Sequence, residues 1–129
     1  MREKILIADD DADNREIMRM ALERAGYEIV LARDGREALE AARREKPALV
    51  LMDLSMPVLS GWEAVRRMKD DAALRAIPVL AFTAHAITGD ETRAREAGCD
   101  GYLSKPCPPR LAVETVAAHL RARSSGATL

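Results

Sequence analysis

The sequence predicts a single α/β domain built on a doubly wound, five-stranded parallel sheet, and three observations predict it. Five short apolar stretches alternate with five stretches of helical character. The run Ala48-Leu49-Val50-Leu51-Met52 carries no polar alternation, the pattern of a central parallel strand covered on both faces. Polar residues able to do chemistry, namely Asp9, Asp10, Asp53, Thr83 and Lys105, follow or end the first, third, fourth and fifth strands. Right-handed crossovers would bring all of them to one edge of the sheet, where such folds bind ligands.

The first strand is Lys4-Ile5-Leu6-Ile7-Ala8, and the acidic run Asp9-Asp10-Asp11 follows at once. Asp13-Asn14-Arg15-Glu16 has capping-box spacing, and Ile17, Ala21, Leu22 and Ala25 fall on one helical face before Gly26. Glu28 to Ala32 is the second strand. Asp34-Gly35 turns the chain into a second helix that ends near Lys46-Pro47. After the central strand and Pro57, Gly61 leads into a helix with Trp62, Val65 and Met68 at helical spacing. Pro78 to Phe82 is the fourth strand and Thr83 ends it. Asp90 to Ala97 is a polar helix closed by Gly98, and Tyr102-Leu103-Ser104 is a short fifth strand before Lys105-Pro106. The last helix starts at Pro108-Pro109, with Val113, Val116, Ala117 and Leu120 on one side. The domain is expected to span residues 1–122, with a flexible tail over 123–129.

Composition narrows the function classes. A 129-residue chain with 48% hydrophobic and 32% charged residues suits one globular domain. Its net charge of −1 gives no field favouring nucleic acid, and one Trp, two Tyr and one Phe offer little base stacking. No apolar run approaches the ~20 residues of a membrane span, and no leader is read before the first strand, so a cytoplasmic location is expected. Cys99 and Cys107 lack metal-ligand or CxxC spacing and are read as reduced structural thiols.

If the first and third strands are neighbours, Asp9, Asp10 and Asp53 converge. Carboxylates that close repel one another unless a cation intervenes, and Mg²⁺ suits an open pocket of this kind. An Asp can also attack phosphorus and form an acyl phosphate. Mg²⁺, Lys105 and the Thr83 hydroxyl would then neutralise the phosphoryl oxygens.

Four segments together carry a family resemblance: Ile5-Leu6-Ile7-Ala8-Asp9-Asp10, Asp53-Leu54-Ser55-Met56-Pro57 with Gly61, Phe82-Thr83-Ala84, and Gly101-Tyr102-Leu103-Ser104-Lys105-Pro106. In this order they resemble the receiver domain of two-component response regulators over residues 3 to about 122. Thr83 to Glu91 with Glu96 to Asp100 is similar to single-domain cell-cycle regulators of the DivK type, and to receivers of hybrid kinases. The resemblance implies a flavodoxin-like (βα)5 fold with strand order 2-1-3-4-5, and Asp53 as phosphoacceptor. It implies Mg²⁺ held by Asp10, Asp53 and the Ser55 backbone carbonyl, with Asp9 acting largely through water. Thr83 and Lys105 would hold the phosphoryl group, Thr83 and Tyr102 would switch, and Lys105-Pro106 would be a cis peptide. Implied partners are a histidine kinase or phosphotransfer protein as donor and a downstream protein target, with neither nucleic acid nor membrane bound directly. Cys107 departs from a more usual larger apolar residue, while Ser55 and His85 occupy variable positions.

Two other readings compete. A haloacid dehalogenase-type phosphatase also uses an Asp nucleophile with Thr, Lys and an acidic pair, but it places that Asp in an Asp-x-Asp motif after the first strand and usually carries a cap. Asp9/Asp11 and Asp11/Asp13 have the spacing, yet this chain has no room for a cap. A receiver-like module that binds partners without phosphorylation is disfavoured because every site residue is present. The receiver reading confines any catalysis to the protein's own phosphoryl transfer and dephosphorylation, and no output domain is read after residue 122.

Overall fold

Short apolar runs form strands within one residue of the predicted positions: β1 (Lys4–Ala8), β2 (Glu28–Ala32), β3 (Leu49–Asp53), β4 (Val79–Thr83) and β5 (Gly101–Ser104). Between and after them lie α1 (Ala12–Arg24), α2 (Gly35–Glu45), α3 (Gly61–Asp70), α4 (Asp90–Ala97) and α5 (Pro109–Ala127). This computed structural model describes residues 2–54, 56, 58–83, 90–105 and 107–127. The strands are parallel, in the order β2-β1-β3-β4-β5. The winding direction therefore switches between β1 and β3, and a crevice opens beyond their carboxyl ends.

Strand alternation divides the core into two layers. Leu6, Val50, Met52, Val79 and Ala81 pack under α2, α3 and α4 with Leu39, Val65, Met68 and Ala94. Ile5, Ile7, Leu49, Leu51, Leu80 and Phe82 pack on the other face with Met18 and Leu22 of α1 and Val116 and Leu120 of α5. β3 is buried along its whole length, as an uninterrupted apolar run requires. Its last residue, Asp53, is buried with it.

Two helices differ from the sequence reading. The N-cap of α1 is Asp11, whose carboxylate accepts from the Asp13 and Asn14 amides at 2.9 and 3.3 Å. Asp13 lies in the first turn instead, where it complements the helix dipole. In a run of four closely spaced Asp residues spacing alone does not choose the cap. The buried residues of α1 are Met18 and Leu22, and Ile17 is 48% exposed. At the other end of the chain, α5 continues past the predicted boundary at 122 as far as Ala127. Its buried stripe is Ala112, Val116 and Leu120, with Val113 half-buried beside it.

Cys99 is buried, and burial first and the neighbouring Asp100 carboxylate second push its thiol up to about 11. That environment suits an inert packing residue. No helix among the described residues is long and apolar enough to cross a membrane.

Candidate functional site

β1 and β3 are hydrogen-bonded neighbours with Ala8 opposite Met52, so the next residue on each strand brings Asp9 beside Asp53. Both side chains are buried, each residue being 4% exposed, while Asp10 is exposed. One carboxylate oxygen from each of Asp9, Asp10 and Asp53 lies within 4.8 Å of the others. At that separation each charged pair is opposed by about 3.5 kcal/mol for an effective dielectric near 20. A cation is the simplest remedy, and the chain supplies one. Lys105 Nζ lies 2.9 Å from Asp9 Oδ2 and 3.1 Å from Asp53 Oδ2. Burial alone would lower the Lys105 pKa, but hydrogen bonding to Asp9 and the charges of Asp53 and Asp9 outweigh it and hold the ammonium above its ordinary value.

Asp9 is held from several sides. Its backbone amide donates to the Ala32 carbonyl at 3.1 Å, and its Oδ1 accepts from the Asp11 amide at 2.9 Å. Arg15 Nη1 donates to the Asp9 carbonyl at 2.8 Å. With Oδ2 on Lys105, both oxygens of Asp9 are engaged by protein. Asp10, in contrast, presents its carboxylate to solvent. The donor set is therefore all oxygen, part buried and part open, and fits Mg²⁺, which takes few carboxylates and keeps several waters.

Among the predicted site residues, Asp9, Asp10, Asp53 and Lys105 come together. Thr83 is buried one residue beyond Phe82, the register partner of Asp53, and its carbonyl accepts from the Lys105 amide at 2.7 Å. By alternation Thr83 shares the sheet face of Val79 and Ala81, and Tyr102, paired with Ala81, packs against that same layer. Tyr102 lies away from the carboxylates, but on the face of Thr83. The Ser55 carbonyl, the Lys105-Pro106 peptide and the loop Ala84 to Gly89 with His85 fall outside the described residues.

Two residues that support the site were missed in the sequence. Arg15 fixes the Asp9 backbone, and the Phe82 ring lies 5.3 Å from Lys105 Nζ, in cation–π range on the same side as the carboxylates. Nothing in a helical Arg marks such a role before the fold sets its neighbours. The alternation Leu80, Phe82 on the Asp53 face could have flagged Phe82.

Known proteins share this fold and sequence pattern. The family profile described as "Response regulator receiver domain" matches residues 5–117. The chain is similar to the polar-differentiation response regulator DivK of Brucella anthropi, with 42% identity over 120 residues that cover 93% of this chain and 98% of that protein. Among solved structures, a CheY-like receiver domain protein of Methanospirillum hungatei superposes with a TM-score of 0.91 at 26% identity, covering 98% of this chain and 99% of that one. A response regulator described as putative from Chloroflexus aurantiacus gives 0.89 at 30% identity, covering 94% and 99%.

Proposed function

The chain belongs to the response regulator receiver domain family of two-component signalling, and on that premise we propose that Asp53 is its phosphoacceptor, charged by a histidine kinase or histidine phosphotransfer protein. The observation that carries this reading is the buried Asp53 carboxylate within 4.8 Å of two further carboxylates and paired to Lys105. In the transfer, an Asp53 carboxylate oxygen attacks phosphorus, the P–N bond of the donor phosphohistidine breaks, and the imidazole leaves with the bonding pair. Lys105 exchanges one Asp53 oxygen for a phosphoryl oxygen, and the Thr83 hydroxyl donates to another. Asp10, Asp53 and the Ser55 carbonyl would hold Mg²⁺, with Asp9 acting through water because both its oxygens are engaged. Bound there, Mg²⁺ supplies charge neutralisation at the phosphoryl oxygens. Catalysis is confined to the protein's own phosphorylation and dephosphorylation, in the cytoplasm. Acetyl phosphate with Mg²⁺, followed by intact mass, tests the proposal: one added phosphoryl group supports it, while turnover of phosphate esters or no labelling contradicts it.

Asp10→Ala should weaken Mg²⁺ binding by about 100-fold and Asp9→Ala by about tenfold, the cost of losing a direct against a second-layer partner. Calorimetric titration checks this. Equal, undiminished affinity in both variants would contradict the metal assignment. Lys105→Ala should leave Mg²⁺ binding largely intact but uncouple phosphorylation from response, since its ammonium is what passes from Asp53 to the phosphoryl group. A phosphorylated Lys105→Ala protein that distinguishes its partner as the parent does would rule out that role.

The output face follows from Thr83. A phosphoryl oxygen above Asp53 draws the hydroxyl inward, and Tyr102 on the same sheet face moves into the space released. The surface changed is that of α4, β5 and α5, where a downstream protein would read the state. Tenfold discrimination needs only about 1.4 kcal/mol of differential affinity. Partner affinity measured with and without beryllofluoride should differ by that factor and lose the difference in Thr83→Ala. Equal affinity in both states would refute the route.

A further inference from the structure

We infer that the groove between α2 and α3 is a docking site for an acidic peptide segment of a partner protein that carries an apolar anchor side chain. The groove has a volume of about 310 Å³, with Leu39 and Leu59 as its apolar floor and Val58 at its lip. Val58 has φ +66° and is 78% exposed. A β-branched residue is disfavoured in the left-handed region, and this one gains nothing from burial within its own chain. A strained apolar residue exposed beside an apolar floor is what an anchor from outside would cover.

Charge selects the occupant. Arg36, Arg43 and Arg67 line the groove against one carboxylate, Glu40, although the whole chain carries a net charge of −1. Their intrachain partners are surface carboxylates: Glu40 and Glu63, one helical turn from Arg36 and Arg67 at 3.3 and 3.4 Å, and Asp71, 3.7 Å from Arg43. All three guanidiniums are exposed, so these pairs hold little and are exchangeable for carboxylates that a ligand brings. Nucleic acid is also anionic, but among the described residues no aromatic ring lines the groove to stack a base. The apolar floor favours a peptide.

The groove is also preformed. The Gly35 amide donates to the Leu59 carbonyl at 3.0 Å, and a Cβ at Gly35 would lie 2.1 Å from that oxygen. The start of α2 and the loop after β3 therefore abut without slack, which spares a ligand the cost of ordering them.

The test is selection of a displayed random peptide library against the full chain. Enriched sequences should place Asp or Glu around Leu, Ile or Phe. Anisotropy of a labelled selected peptide should show at least tenfold weaker binding to Arg43→Glu/Arg67→Glu, with Arg121→Glu on α5 as the unaffected control. Val58→Gly separates docking from folding: relief of backbone strain should leave stability equal or higher while peptide affinity falls severalfold. Selection of basic or uncharged peptides, equal binding to the Arg variants, or tighter Arg-dependent binding of an RNA oligonucleotide would overturn the assignment.

Discussion

Asp53→Asn should abolish labelling by acetyl phosphate, a loss of roughly a thousandfold or more, while leaving the fold intact. Asn matches Asp in shape, so the packing of β3 is kept, but its amide oxygen is a far weaker nucleophile. The stability consequence has a definite sign. Asp53 contributes repulsion against Asp9 and Asp10 and attraction to Lys105, and Lys105 retains its 2.9 Å contact with Asp9 when Asp53 is neutralised. Without Mg²⁺ the variant should therefore melt at or above the parent's temperature. With Mg²⁺ the order should reverse, because ligand-linked stabilisation grows with occupancy and the variant lacks one carboxylate of the proposed metal site. Thermal melts with and without Mg²⁺, beside intact mass, check both halves. Robust labelling of the variant at a site other than Asp9 or Asp10, or a Mg²⁺-dependent gain equal to the parent's, would sink the phosphoacceptor assignment.

Much of this site was legible because chemistry and topology coincide. A polar residue at the end of an apolar strand announces itself, and the alternating βα pattern places all such ends on one edge; Asp9, Asp53 and Lys105 meet as that argument requires. The cap of α1 was less legible, since Asp11 and Asp13 are both competent caps and only the docking of Met18 and Leu22 on β1 decides between them. Arg15 acquires its role from the path of the loop that brings Asp9 back against it and Phe82 from Lys105, distant in sequence, and Val58 reveals its unusual backbone only in the folded loop. Residues whose role is intrinsic to their chemistry were readable. Those whose role is conferred by contact were not.

Gly61 belongs to the second kind, and its replacement should have the largest effect on stability. The sequence suggests only that a glycine eases the chain into α3, yet Ser60 already caps that helix by accepting from the Glu63 amide. Gly61 does not have a positive φ, so backbone freedom is not what requires it. Space is. A Cβ there would lie 2.0 Å from the Asp53 carbonyl oxygen and 2.7 Å from Leu54 Cα, both backbone atoms held by the sheet. The Leu54 amide bonds the Phe82 carbonyl at 3.1 Å and the Leu54 carbonyl accepts from Gly61 at 3.2 Å, so β3, β4 and α3 must part together to admit a methyl group. Gly61→Ala should cost about 3 kcal/mol or more and lower the melting temperature by roughly 10 °C. Because the displaced atoms belong to Asp53 and the residue after it, labelling by acetyl phosphate should slow as well. Gly26→Ala is the comparison: φ is +102° there but nothing lies within 4 Å, so only local strain of about 1 kcal/mol is expected and labelling should not change. If Gly61→Ala melts no lower than Gly26→Ala and is labelled at the parent's rate, the close approach of α3 to the end of β3 is not what holds Asp53 in place.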